Sequence, residues 1–149
     1  MKQKIHPIAG ALAFFIIAGF WFSTVAVELF GTEAQVIAVK SSIPWGFLVL
    51  VPAMAAVGGS GFSLAGKRRG GVLGAKARRM PIIAANGVLI LIPAALFLAA
   101  KAKSGEFDST FYLVQTLELF AGATNLTLLG MSMRDGLRLK GRLRRKAKV

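Results

Sequence analysis

The chain of 149 residues contains no cysteine, a single histidine and only six acidic residues. Without cysteine, disulfides, thiolate metal sites and cysteine nucleophiles are excluded. With His6 alone, a bis-histidine haem site cannot form within one chain, and no carboxylate lies near His6 in sequence to complete a metal site. Hydrolase, zinc-protease and phosphate-binding motifs are also missing, so the sequence favours a non-enzymatic function and offers no catalytic residues.

Apolar residues, in contrast, are abundant: they make up 55% of the chain and gather in four long stretches. The stretches cover about 8–30, 43–65, 80–100 and 110–133. Each approaches or exceeds the roughly 20 residues that a helix needs to cross a bilayer core. Since unpaired backbone groups are not tolerated in hydrocarbon, residues 1–149 are predicted to form one integral membrane domain, an all-α, four-helix transmembrane bundle.

The nineteen Lys and Arg residues are distributed unevenly between these stretches. Two precede the first stretch, six lie between the second and third, and eight lie in a basic tail over 134–149. Sixteen of the nineteen therefore fall on one side of the membrane. Because basic residues accumulate in cytoplasmic loops, we expect both termini in the cytoplasm and the protein in the inner membrane of a bacterial-type cell.

The basic connection between the second and third stretches predicts a lipid partner. Juxtamembrane basic residues are attracted to anionic headgroups by about 1 kcal/mol each. The basic tail has no aromatic residues to stack on bases, so nucleic acid is not expected as a partner. The candidate residues for binding anionic lipid are Lys67, Arg68, Arg69, Lys76, Arg78 and Arg79.

The sequence also predicts where the helices end. Residues 31–42 are expected to form a nearly neutral loop, with Pro44 in the first turn of the second helix, where its missing N–H is harmless. Lys40 then lies in the loop, and no basic residue lies within a helical span. Asp135 and Gly136 predict a helix end or break after the fourth span. Four short helices make a small core for a membrane site, so a homodimer or larger oligomer is expected, with the glycine-rich second helix as its candidate interface.

Polar residues inside the stretches give the strongest indication of function. Glu118 lies near the membrane midplane, where a charged side chain costs roughly 2.5–3.5 kcal/mol on insertion scales. At 100° per residue, Gln115 and Asn125 share its helix face. With Glu28 late in the first stretch and Asn86 early in the third, they predict a polar track across most of the membrane. The same side chains also suit hydrogen bonds that hold membrane helices together.

A different interpretation starts from His6, which lies at the cytoplasmic edge of the first stretch. Haem iron accepts a histidine and a methionine as axial ligands. Met131 and Met133 end the fourth stretch at the same membrane surface. His6, Met131 and Met133 are therefore candidate ligands for haem b.

The sequence leaves three functions open. The first is transport or conductance of a proton, a cation or a small polar solute through the polar track. The second is a haem-binding protein, for redox chemistry or gas sensing, ligated through His6. The third is a non-catalytic assembly or scaffold subunit of a membrane complex.

Overall fold

A computed structural model of the chain is almost entirely helical. It describes residues 2–65 and 71–146, with side chains over 6–59, at 74, over 78–138 and at 141. One turn of π-helix over Gly87–Leu91 joins the helix that ends at Asn86 to the helix that begins at Ile92, so these pieces form one continuous helical segment. No strand occurs in the described ranges, and the predicted all-α, four-helix bundle is confirmed. The α-helices are α1 (Lys2–Phe30), α2 (Glu33–Ala65), α3 (Gly71–Asn86), α4 (Ile92–Lys103) and α5 (Ser109–Lys146).

Three described helical segments are long and apolar enough to cross a membrane. They are His6–Phe30, Glu33–Gly59 and Arg78–Lys103. The remaining long helix, α5, carries more polar residues than these three segments and packs against α1, α3 and α4. The molecule is therefore a membrane protein whose most polar helix lies against three helical segments of the bundle.

The second helix starts earlier than the sequence predicted. It begins at Glu33, so the expected loop over 31–42 shrinks to Gly31 and Thr32. Thr32 N donates to Gln35 Oε1 at 2.8 Å, and Gln35 N lies 3.4 Å from Thr32 Oγ1. This reciprocal arrangement is a capping box, which starts a helix without needing proline. Pro44 consequently lies inside α2.

The fourth helix continues past the expected break. It runs from Ser109 to Lys146, so the prediction of a helix end at Asp135 and Gly136 is wrong, and the basic tail is helical through Lys146. Asp135 instead accepts a hydrogen bond from Arg79 at 2.7 Å, which ties α5 to α3. That hydrogen bond holds the pKa of the Asp135 carboxyl below its usual range.

We call the side of the bundle with the two short connections the hairpin end, and the opposite side, with both chain termini, the terminal end. At the hairpin end, Lys101 Nζ lies 3.0 Å from Glu106 Oε2 and 2.5 Å from Asp108 Oδ2. Asp108 Oδ1 accepts the Phe111 N–H at 2.9 Å, which satisfies a free donor in the first turn of α5. The hydrogen bond from Lys101, followed by that from Phe111, lowers the pKa of the Asp108 carboxyl.

Two apolar clusters pack the interior at different depths. The hairpin-end cluster consists of Val36, Leu98, Ala102 and Phe111, with Phe111 0% exposed. The terminal-end cluster consists of Ile17, Ile83 and Leu129. Along α5, Glu118 lies between the Phe111 of one cluster and the Leu129 of the other.

Candidate functional site

The most unusual feature of the interior is a buried ion pair between α2 and α5. Lys40 Nζ lies 2.6 Å from Glu118 Oε2, and their side chains are 0% and 12% exposed. The prediction that no basic residue lies within a helical span is therefore wrong. It failed because α2 begins at Glu33, which moves Lys40 from a loop to a position about 10 Å inside the helix.

Two further polar side chains adjoin the ion pair. Gln115 Nε2 lies 3.5 Å from Glu118 Oε2, and Glu28 interacts electrostatically with both Lys40 and Glu118. The buried atoms Gln115 Oε1 and Glu28 Oε1 have no hydrogen-bond partner among the described residues. Both are acceptors without a donor, so they suit a proton, a water molecule or a small cation.

The charges of this group do not balance. Glu28 and Glu118 carry two negative charges when ionised, and Lys40 supplies one positive charge. A net charge is costly to keep inside a bilayer. The group therefore reaches neutrality when it takes up one proton or one monovalent cation.

A small cavity lies beside Glu118. Its volume is about 60 Å³, and Thr24, Trp21 and Gly122 contribute to its walls. Trp21 Nε1 donates to the Leu119 carbonyl at 2.9 Å across the helix interface. A Cβ at position 122 would lie only 2.9 Å from Trp21 Cδ1, so glycine is what lets the indole approach α5. Since a water molecule occupies about 30 Å³ in the liquid, the cavity accommodates on the order of one or two waters.

Apolar packing closes the charged group at both ends. Val36 lies one turn from Lys40 toward the hairpin end, and Phe111 lies one turn from Gln115 in the same direction. Toward the terminal end, Ile17, Ile83 and Leu129 fill the interior. In this conformation apolar side chains lie between the ion pair and each end of the bundle.

The two asparagines form a second polar contact, nearer the terminal end. Asn86 Nδ2 donates to Asn125 Oδ1 at 2.9 Å and to the Ala121 carbonyl at 2.8 Å. Asn125 Nδ2 lies 3.3 Å from the Ile83 carbonyl. These bonds fix α3 against α5 immediately before the π-helix begins at Gly87.

The predicted polar track is thus divided into two groups. Glu28, Gln115 and Glu118 gather around Lys40, whereas Asn86 and Asn125 bind each other. A second cavity, of about 370 Å³, lies beside Asn125. Four apolar residues line both this cavity and the one beside Glu118: Ile17, Phe47, Leu50 and Leu91.

Lys40 is the functional candidate that sequence reasoning missed. Its neighbours Val36 and Ile43 are buried with it, at the i, i+4 and i+7 spacing of one helix face. That spacing, together with the Thr32–Gln35 capping pair, is the signal that could have placed Lys40 inside a helix. Nothing local to the sequence indicates that its partner is Glu118, 78 residues away.

Of the three candidate haem ligands, one lines a groove on the bundle surface. Met131 lines an open groove between α1 and α5, and neither His6 nor Met133 lines that groove. Haem binding through His6 therefore stays a prediction, as does an oligomeric state.

Part of the lipid-binding prediction falls outside the described residues. Lys67, Arg68, Arg69 and the side chain of Lys76 are not described, while Arg78 is exposed and Arg79 binds Asp135. Anionic-lipid binding at this connection stays a prediction for the whole set.

Within the described ranges, no group of three or more His, Asp or Glu side chains could hold a metal ion. Comparison with protein-family models, with curated proteins and with solved structures finds no match to this chain. The function is therefore inferred from the geometry of the charged group itself.

Proposed function

We propose that the protein transfers protons across the membrane through the Lys40–Glu118 pair. The observation that carries this proposal is the buried ion pair with a second carboxylate, Glu28, beside it. Ionisable groups inside a membrane bundle are costly, and they typically mark ion or proton pathways. The unsatisfied acceptors on Glu28 and Gln115 give a water molecule that delivers the proton somewhere to bind.

Size and charge favour a proton over a larger solute. Sites for organic ligands usually measure about 300–1,000 Å³, far more than the roughly 60 Å³ beside Glu118. The cavity of about 370 Å³ falls within that range, but neither Lys40 nor Glu118 lines it. The group also lacks one positive charge when both carboxylates are ionised. A single proton supplies that charge without needing further space.

The transfer step keeps charge and atoms balanced. A hydronium ion protonates the Glu118 carboxylate and leaves as neutral water, and the Lys40 ammonium then keeps Glu28 as its counter-ion. Loss of the same proton to water on the other side restores the Lys40–Glu118 pair. One positive charge crosses the membrane in each cycle.

Access from the two ends must alternate, because apolar clusters close both sides of the pair in this conformation. The continuous helical segment formed by α3, the π-helix and α4 offers a place for such a movement. Its π-helix over Gly87–Leu91 adjoins Pro93, which has no N–H for the preceding turn, and both features are common where helices bend. Movement there would shift Leu91, which lines both cavities.

The proposed orientation places both termini in the cytoplasm of a bacterial-type cell, with the hairpin end outside. A fusion of alkaline phosphatase to the C-terminus should then be inactive, while a fusion within residues 104–108 should be active, because that enzyme matures only outside the cytoplasm. The reverse pattern would overturn this orientation and, with it, the agreement with the positive-inside rule.

Proton transfer can be tested with the purified protein in vesicles that enclose a pH-sensitive dye. A potassium diffusion potential should drive proton entry at a rate above that of protein-free vesicles. Glu118→Gln should reduce the rate to the protein-free level, because an amide cannot take up the proton. Glu33→Gln is the matched control, since Glu33 is exposed in the first turn of α2 and should leave the rate unchanged.

The same assay distinguishes proton transfer from a purely structural role of the ion pair. Buried ion pairs can fix helix register without any transport function. Wild-type flux equal to that of empty vesicles, or full flux in a folded Glu118→Gln protein, would assign the pair to that structural role instead.

A further inference from the structure

A second site lies on the outer surface of the bundle, away from the ion pair. An open groove of about 790 Å³ runs between α1 and α5. Phe14, Phe15 and Phe22 contribute aromatic walls, and Gly19 and Gly130 leave space between the two helices. The lining spans nine residues of each helix, so the groove is about 12 Å long.

Arg134 closes the terminal end of this groove, and among the described residues its one ion pair is a long contact with Asp135. Its side chain is 58% exposed, and its contact with Asp135 is long, at 3.9 Å. Asp135 Oδ2 instead forms its short ion pair with Arg79 Nη1, at 2.7 Å. Arg138 follows one turn later on the same face of α5 and is also exposed.

We propose that this groove binds one anionic phospholipid. Arg134, with Arg138 behind it, receives the phosphate, and one acyl chain lies along the groove toward the membrane centre. Arginine guanidinium groups form paired hydrogen bonds with phosphate oxygens. Arg134 directly follows the apolar part of α5, at the depth where the headgroups of that leaflet lie.

The groove is apolar along its length and ends at a cation, and this combination fits an anionic phospholipid better than other occupants. A second copy of the chain has few acidic groups to offer Arg134, because only six acidic residues occur in its sequence. A neutral lipid would fill the groove but would leave the net charge of Arg134 uncompensated. The anionic lipid satisfies both parts of the site.

Native mass spectrometry of the full chain in detergent can count the lipids that remain bound. Phosphatidylglycerol should bind more tightly than phosphatidylcholine with the same acyl chains. Arg134→Gln should weaken phosphatidylglycerol binding by about tenfold or more, since paired hydrogen bonds to a charge are lost. Lys103→Gln removes the same charge from an exposed position at the end of α4 and should change the affinity by less than about twofold.

A second variant tests the groove and leaves Arg134 in place. A Cβ at Gly130 would lie 3.7 Å from Phe14 Cε2, an ordinary contact, so the backbone tolerates a side chain there. Gly130→Leu should fill the groove and abolish tight binding although both arginines remain. Equal binding of the two lipids, equal effects of Arg134→Gln and Lys103→Gln, or a protein dimer that Gly130→Leu dissociates would each overturn the proposal.

Discussion

Replacing Lys40 by methionine is expected to destabilise the protein by about 3–5 kcal/mol, the cost of breaking a buried ion pair by removing one partner. The Lys40 side chain is 0% exposed, so neither water nor lipid headgroups can replace it. Glu118 and Glu28 would then face each other without an intervening positive charge. Lys103→Met is the matched control, because Lys103 is exposed at the end of α4 and its removal should cost little.

The loss of stability should be largely recovered in the double variant Lys40→Met with Glu118→Met. Replacing a whole buried pair by apolar residues of similar volume is often neutral or stabilising. Glu118→Met alone should cost less than Lys40→Met, because Lys40 would keep Glu28 as a neighbour. Such an asymmetry would reflect two carboxylates competing for one ammonium.

Reversible unfolding in mixed micelles, followed by tryptophan fluorescence, measures these differences. Trp21 of α1 packs against α5 beside the pair, so its fluorescence reports the separation of α1 from α5. A loss below about 1 kcal/mol for Lys40→Met, or a double variant as unstable as that single variant, would contradict the assignment of a buried, mutually dependent pair. The stability cycle does not depend on whether the protein transports protons.

The helix count was predictable because it depends on composition summed over long windows. Four stretches of about 20 apolar residues allow few alternatives once the backbone must satisfy its own hydrogen bonds. The helix ends were less predictable, because capping contacts and not hydropathy determine them. Thr32 and Gln35 start α2 well before its apolar stretch, and α5 continues beyond Asp135 because Arg79 of α3 neutralises that carboxylate.

Which residues form the candidate site was only partly predictable from the sequence. Glu118 and Gln115 share one helix face, which a period of 3.6 residues gives directly. The contact between Lys40 and Glu118 joins helices that are distant in sequence, and one sequence by itself gives no signal for such pairs. The π-helix was also unexpected, since Gly87 and Pro93 individually indicate flexibility or a kink but no particular hydrogen-bond pattern.

The hairpin-end cluster should control access of water to the charged group, and Phe111→Ala tests this directly. Phe111 is 0% exposed and lies one turn above Gln115 on the same face of α5. Truncating a buried phenylalanine costs about 3–5 kcal/mol, because the site cannot collapse fully around the missing ring. If one third of that cost lowers the energy of local opening, water-soluble reagents should reach position 115 about tenfold faster.

The absence of cysteine from the chain makes that rate measurable with one introduced thiol. In a Gln115→Cys background, a charged thiosulfonate reagent should react slowly with the folded protein in detergent, and about tenfold faster after Phe111→Ala. Phe120→Ala is the matched control: it makes the same change in the same helix at an exposed, outward-facing position, and the rate should stay as in the parent. Unchanged labelling in Phe111→Ala would mean that the barrier lies elsewhere. Faster labelling together with faster proton entry in vesicles would identify Phe111 as the hairpin-end gate of the pathway.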